Sequence, residues 1–281
     1  MSSLGHSVLL PAWLGWDQLT KAQAADESFY LAFVVALHVA TACALLLYFR
    51  HEWVGIIRGF FRTLHTRRIE TPDERMVWLL VVATIPAGLM GLALEHTFRT
   101  VFAKPLAASL FLTANGLLLI AGERVRRRAS VRRLAAEHPI PGSETATDGL
   151  PGPDRRLDTL EFKEAGIVGV AQIGALFAGI SRSGITMVAG LLRGLDHEDA
   201  ARFSFLLATP IIFAAGVYKI PDLAGHLGDG IRSQALVGSL FAGFAAYFAV
   251  RFLLRFFRSG NLLPFGIYCL IAGLASVLRF A

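Results

Sequence analysis

The run Ala178-Gly179-Ile180-Ser181-Arg182-Ser183-Gly184-Ile185-Thr186 sets an arginine and three hydroxyl side chains in an otherwise apolar stretch. Hydrocarbon cannot solvate a guanidinium, so a charge in that setting turns to the protein interior or a wet cavity, at a cost of roughly 2.5 to more than 10 kcal/mol. An anion, phosphate above all, would offset it. Arg182 can grip two phosphate oxygens at once through its planar fork. Gly179 and Gly184 let backbone come close, and a helix beginning near Ile185 would present unpaired N–H groups. Ser181, Ser183 and Thr186 add hydroxyl donors. Small residues and hydroxyls also pack helices together, and the serines and Thr186 suit that role equally well. Arg182 does not, because packing needs no cation.

A second cluster lies at Ser2, Ser3 and His6. A hydroxyl three residues from an imidazole can share one face of a helical turn, giving nucleophile and base or nucleophile and acid. The alternative is an ordinary Ser/His pair in a frayed tail. His38 falls inside an apolar span and reads as a polar packing or cavity residue. His51, His65, His96, His138, His197 and His226 read as interfacial or loop positions. Gln172 faces the same interior as Arg182, where it could orient a phosphate or simply bond backbone carbonyls.

These residues need elements to hold them, and composition says which kind. Apolar residues make up 54% of the chain and mean hydropathy is +0.55, which places it among integral membrane proteins rather than soluble domains. Apolar windows at 28–49, 76–95, 105–121, 203–220, 235–254 and 262–280 approach the ~20 residues a helix needs to cross hydrocarbon. The fold class is therefore an all-α, polytopic helical bundle. The net charge of +6 sits in loops between spans, so it speaks for orientation in an anionic membrane and not for nucleic acid. Cys43 and Cys269 lie within apolar spans as inert packing residues, with neither disulfide nor metal indicated. Residues 1–20 lack the basic start of a cleavable signal peptide. The segment 52–65 alternates bulky apolar residues with Arg58 and Arg62, which suits a helix lying on the membrane surface.

Arginines give the topology. Arg50, Arg58, Arg62, Arg67, Arg68 and Arg75 form one basic segment, and Arg124, Arg126, Arg127, Arg128, Arg132, Arg133, Arg155 and Arg156 another. Two spans separate them, so both are expected inside, with Arg255 and Arg258. Counting back two spans from Arg255 puts 194–200 inside as well, so 159–193 must enter and leave on one face. That describes a re-entrant hairpin with its tip near 181–184. Residues before 28 fall outside, so a hairpin there would enter from the opposite face. Ser2-Ser3-Leu4-Gly5-His6-Ser7 can be laid over Ser181-Arg182-Ser183-Gly184-Ile185-Thr186, and two inverted halves with broken helices are a known route to a polar site at mid-membrane. The expected organisation is a first repeat at 1–122 with a partial hairpin, a soluble cytoplasmic linker loop at 123–158, and a second repeat at 159–281.

At these residues a family resemblance enters. The stretch 178–186 resembles the PGxSRSGxT motif of the undecaprenyl-pyrophosphate phosphatases, the bacitracin-resistance family. Ser2-Ser3-Leu4-Gly5-His6 resembles that family's PVSSxGH motif, and Phe203-Ser204-Phe205-Leu206-Leu207-Ala208-Thr209-Pro210 and Pro264-Phe265-Gly266-Ile267-Tyr268 match two further stretches. The resemblance implies removal of one phosphate from a C55 polyprenyl pyrophosphate, recycling the lipid carrier of cell-wall synthesis and conferring bacitracin resistance. It implies a multi-pass protein of the bacterial cytoplasmic (inner) membrane, with two re-entrant hairpins, a site reached from the periplasmic side, and a homodimer as one arrangement left open. Carried over, Arg182 clamps the pyrophosphate and Ser3 or His6 is nucleophile or proton shuttle, while Ser2, Gln172, Gly179, Ser181, Ser183, Gly184 and Thr186 bind substrate.

Three departures accompany the resemblance. Ala178 replaces the motif proline, and His38 stands where the family often has glutamine. The family also carries an acidic ExxxE-type motif before PVSSxGH, thought to serve Mg²⁺ or Ca²⁺, and this chain begins inside PVSSxGH. Met1 occupies the place of its valine, as a GTG codon read as a start would produce. The expectation is that the natural protein carries a further N-terminal stretch with the metal-binding carboxylates, and that metal ligands cannot be assigned here. A different class fits the same features: a transporter or flippase of polyprenyl phosphate lipids.

Overall fold

A computed structural model describes residues 2–16, 29–102, 104–137, 155–225 and 232–281. These form ten α-helices, with two 3-10 turns and no strand among the described residues. Helix α1 (Ser3–Trp13) is short. Helix α2 (Phe29–Tyr48) is almost wholly apolar, and α3 (Arg50–Thr66) leaves it at a bend of 87°. That right-angle turn suits an amphipathic helix resting along a membrane surface. Long helices α4 (Pro72–Phe102) and α5 (Pro105–Glu137) complete the first half. The second half begins with two short helices, α6 (Phe162–Ile173) and α7 (Arg182–Leu192), followed by α8 (His197–Ala224), α9 (Arg232–Phe257) and α10 (Leu263–Phe280). Five helices are long and apolar enough to cross a membrane, and six spans result if the bent pair α2–α3 counts as one. The six expected windows thus fall on α2, α4, α5, α8, α9 and α10. Leu240, Phe241, Phe244 and Phe248 stand exposed on α9, as a helix facing lipid requires.

Local chemistry starts these helices where the sequence says it should. Thr71-Pro72-Asp73-Glu74 forms a capping box: Thr71 Oγ1 accepts from Glu74 N–H at 3.3 Å, and Glu74 Oε2 accepts from Thr71 N–H at 3.1 Å. The same carboxylate ties α4 to α3 through Arg62 Nε at 3.1 Å. Glu161 and Glu164 form a second box at the head of α6.

The pair α6–α7 is the element that positions the site. Twelve and eleven residues rise only about 18 and 17 Å, short of the ~30 Å of hydrocarbon. The ends of this segment meet. Arg155 N–H donates to Gly194 O at 2.8 Å and Asp196 N–H donates to Arg155 O at 3.3 Å. The Arg155 guanidinium spends all its donors on the same junction: Glu164 Oε1 at 2.8 Å and Oε2 at 3.2 Å, Arg193 O at 3.0 Å, Thr159 O at 2.7 Å and Thr159 Oγ1 at 3.3 Å. The segment therefore leaves the bundle surface and returns to the point where it left.

Burial raises the Glu164 carboxyl, but the hydrogen bonds from Arg155 and the Glu161 N–H, with the charges of Arg155 and Arg193, outweigh it and hold it below the ordinary value. A depressed carboxylate stabilises the fold above its unfolded-state pKa, and this is lost as pH falls through the folded-state value. Acidification below the usual carboxylate range is expected to loosen the hairpin base first. Faster amide exchange at 155–164 before the rest of the bundle would show it, and uniform exchange along the chain would refute it.

Two expectations need correction. The segment 123–158, expected as a cytoplasmic loop, is helical over 123–137, because α5 continues to Glu137. Residues 123–137 are good helix formers with no Gly or Pro, so the helix runs on past the apolar span. Residues 138–154 lie outside the described ones. His197, expected at an interfacial or loop position, is buried: Nε2 sits 2.8 Å from Glu123 Oε2, and the ring stacks on Phe257 at 6.4 Å.

Candidate active site

Two helices of like construction start at one place. Ser2 caps α1 from an extended conformation (φ −94°, ψ 113°), and its Oγ accepts from Gly5 N–H at 3.1 Å. Ser181 caps α7 the same way (φ −82°, ψ 120°), and its Oγ accepts from Gly184 N–H at 3.1 Å. The overlay of 2–7 on 181–186 thus corresponds to matched caps, one residue type serving each cap position. Helix α7 begins at Arg182, three residues before the expected start. The two tips touch: a Cβ on Gly5 would lie 2.8 Å from Gly179 Cα, and Gly179 has φ +120°, a conformation open to glycine.

A cavity of about 260 Å³ opens where the tips converge. Ser2, Ser3 and Leu4 line it from α1, His38 from α2, Gln172 from α6, and Ser181, Arg182 and Ser183 from α7; the remainder is apolar. Of the expected site residues, Ser2, Ser3, Gln172, Ser181, Arg182 and Ser183 are brought together. Gly179 and Gly184 shape the tip without lining the cavity. Thr186 turns away from it and bonds Ser204 Oγ at 2.7 Å, fastening α7 to α8. His6 does not line the cavity either. Its Nδ1 contacts Ser2 O, and its Nε2 lies 2.8 Å from Tyr268 Oη on α10, with the two rings stacked.

The electrostatics of this cavity are one-sided. Arg182 contacts Ala208 O at 3.4 Å, its Nε is enclosed without a partner, and no carboxylate pairs with it among the described residues. Both polar atoms of the buried Gln172 amide also lack partners. Two helix N-termini, with their partial positive charge, open into the same space. Such a set of donors can surround an oxyanion on several sides.

Two functional neighbours escaped the sequence reading in their present roles. Asn115, fully buried on α5, accepts from Ser181 N–H through Oδ1 at 3.0 Å and donates to Cys269 Sγ at 3.3 Å. Its only signal was an amide inside an apolar span. Asn115→Ala leaves the Ser181 N–H buried and unpaired, so a loss of about 1–3 kcal/mol is expected. Thermal unfolding in detergent measures this, and unchanged melting would sink the assignment. His38 is the second neighbour, with Nε2 at 2.9 Å from Ser3 Oγ.

The divalent cation implied by the resemblance does not fit the residues present. Mg²⁺ and Ca²⁺ take oxygen ligands with carboxylates prominent among them, and the residues lining the cavity include no carboxylate. No group of three metal-ligating side chains occurs among the described residues.

The described residues form a helical bundle with membrane-span candidates, and its pocket of hydroxyls, amide and guanidinium has the donors to surround an oxyanion. The chain belongs to the family of bacitracin resistance protein BacA, which matches it over residues 1–275. It is 55% identical to undecaprenyl-diphosphatase 2 of Frankia alni, across 100% of this chain and 93% of that relative. It is 56% identical to undecaprenyl-diphosphatase of Mycolicibacterium paratuberculosis, across 100% of this chain and 92% of the relative. Identity to undecaprenyl-diphosphatase 2 of Burkholderia thailandensis is 43%, across 98% and 88%.

Proposed function

We propose that this protein is a polyprenyl-diphosphate phosphatase of the bacterial inner membrane, removing the terminal phosphate of undecaprenyl pyrophosphate so that the lipid carrier of cell-wall synthesis can be reused. One observation carries the reading: Arg182 projects a positive charge, with no counter-charge among the described residues, into a pocket ringed by helix N-termini and hydroxyls. An enclosed cation without a partner is costly, and a phosphate dianion offsets that cost. The named relatives, matched across this whole chain and 92–93% of their own length, point to the diphosphate.

In this reading α6–α7 is a re-entrant hairpin that carries Ser181–Arg182–Ser183 into the membrane, and α1 is the matching limb from the opposite face. The diphosphate sits with Arg182 across two oxygens, Gln172 Nε2 and the N–H groups at the two tips on the others. Fixed donors of this kind stabilise the charge that moves onto phosphoryl oxygens during transfer. Ser3 is exposed to the cavity and serves as nucleophile. His6, held between Ser2 O and Tyr268, positions the α1 tip against α10. An apolar groove lined by Val82, Ile85, Pro86, Ile167 and Val170 shares the walls α4 and α6 with the cavity and suits the prenyl tail.

Phosphate release from C55 pyrophosphate by the purified full chain in lipid vesicles tests the proposal. The expected result is release of one phosphate per lipid. Movement of the lipid between leaflets with no release would favour a carrier instead.

A further inference from the structure

We propose that His38 is the general base that activates Ser3. The inference rests on the phosphatase reading for its substrate, but its geometry stands by itself. His38 Nδ1 lies 2.7 Å from Val34 O. A carbonyl oxygen can only accept, so Nδ1 carries the proton of the neutral ring and Nε2 holds the free lone pair. That lone pair is 2.9 Å from Ser3 Oγ, within reach for proton transfer. The Ser3 hydroxyl therefore donates to Nε2. Nucleophile, base and orienting acceptor stand in line, as the logic of an activated hydroxyl requires. The residues involved lie 35 positions apart in sequence and on different helices.

Other candidates fail on position. Both ring nitrogens of His6 face other atoms, and His6 is absent from the cavity wall. The described residues lining the cavity include no carboxylate, and Arg182 is a permanent cation at neutral pH. Among the described residues lining the cavity, His38 is the one within reach of Ser3 that can take its proton.

The chemistry balances as follows. Ser3 Oγ bonds to the terminal phosphorus while its proton passes to His38 Nε2. The bridging P–O bond breaks, its electron pair leaves on the polyprenyl monophosphate, and Nε2 returns the proton to that oxygen. Water then attacks the phosphoserine, and Nε2 takes one of its protons. The P–Oγ bond breaks, Ser3 Oγ recovers that proton, and inorganic phosphate leaves with the water oxygen.

His38→Gln is the informative variant, because glutamine keeps a hydrogen-bonding head without a titrating nitrogen. Expected is a fall of about 10²–10⁴ in kcat with KM nearly unchanged. Exogenous imidazole is expected to restore part of the activity of His38→Ala, which a purely structural residue would not allow. A second readout needs no phosphatase activity: a fluorophosphonate probe should label Ser3, found by mass spectrometry, and label it at least tenfold more slowly in His38→Gln. Labelling of Ser3 that depends on His38 without any phosphate release would uphold the pair and remove the phosphatase reading. Wild-type kcat in His38→Gln, or equal labelling of Ser3 in both proteins, overturns the proposal.

Discussion

Arg182→Ala is expected to lower phosphate release by about 10³-fold or more while leaving the protein as stable as before, or more so. The two effects follow from one fact. Arg182 has no carboxylate partner among the described residues, and its guanidinium makes one hydrogen bond among them, to Ala208 O at 3.4 Å. Removing a cation that is paired inside a protein strands its partner; removing this one strands nothing and relieves desolvation. The transition state fares otherwise. Groups that hold migrating phosphoryl charge contribute factors of about 10²–10⁵ when their counterparts in other enzymes are removed. Arg182→Lys keeps the charge but not the planar fork, so its loss should be smaller, roughly 10- to 100-fold. Kinetics with the C55 substrate, alongside thermal unfolding in detergent, checks both halves. A melting temperature that falls sharply in Arg182→Ala would mark the residue as structural and withdraw the proposed role.

The largest stability effect is expected at Gly179, which lies between Gly5 of α1 and the backbone of α5. Its φ of +120° is one that a side chain strains to adopt, and a Cβ there would lie 2.5 Å from Ala108 O and 2.7 Å from Leu112 N, both backbone atoms of α5. Backbone cannot swing aside as a side chain does. Strain of about 1–3 kcal/mol joins overpacking of about 1–3 kcal/mol, so Gly179→Ala should cost about 2–6 kcal/mol. The damage should reach activity as well, because Gly5 of α1 lies against Gly179 and the two tips would separate. Gly15 has φ +72° but open space around it, so Gly15→Ala serves as the control with strain alone. Equal melting temperatures for the two variants would show that Gly179 does not pack on the α5 backbone as described.

Much of this was legible in the residues. Hydropathy located every span, because a helix in lipid must be apolar along its whole length. Arginine counting gives the expectation of a hairpin at 159–193, and the overlay of 2–7 on 181–186 matches serine with serine and glycine with glycine; the caps at those serines, with α7 starting at Arg182, emerge only in the structure. The length of α5 was misjudged because a basic stretch resembles a loop in charge while remaining a good helix in propensity. Arg182 was readable because a charge among apolar residues is expensive wherever it ends up.

By itself, then, the sequence determined the class of fold, an arginine set among apolar residues and the Ser/Gly echo between 2–7 and 181–186: each follows from residue type and near neighbours. Only the tertiary structure decided which groups meet. It put Asn115 on the Ser181 N–H from 66 residues away, turned Thr186 out of the cavity, gave His6 to Tyr268 on α10 across 262 residues, and placed His38 on Ser3. The reason is geometric. A helix sets the direction of a side chain, but the partner it reaches depends on how separate helices pack, and no local spacing encodes that.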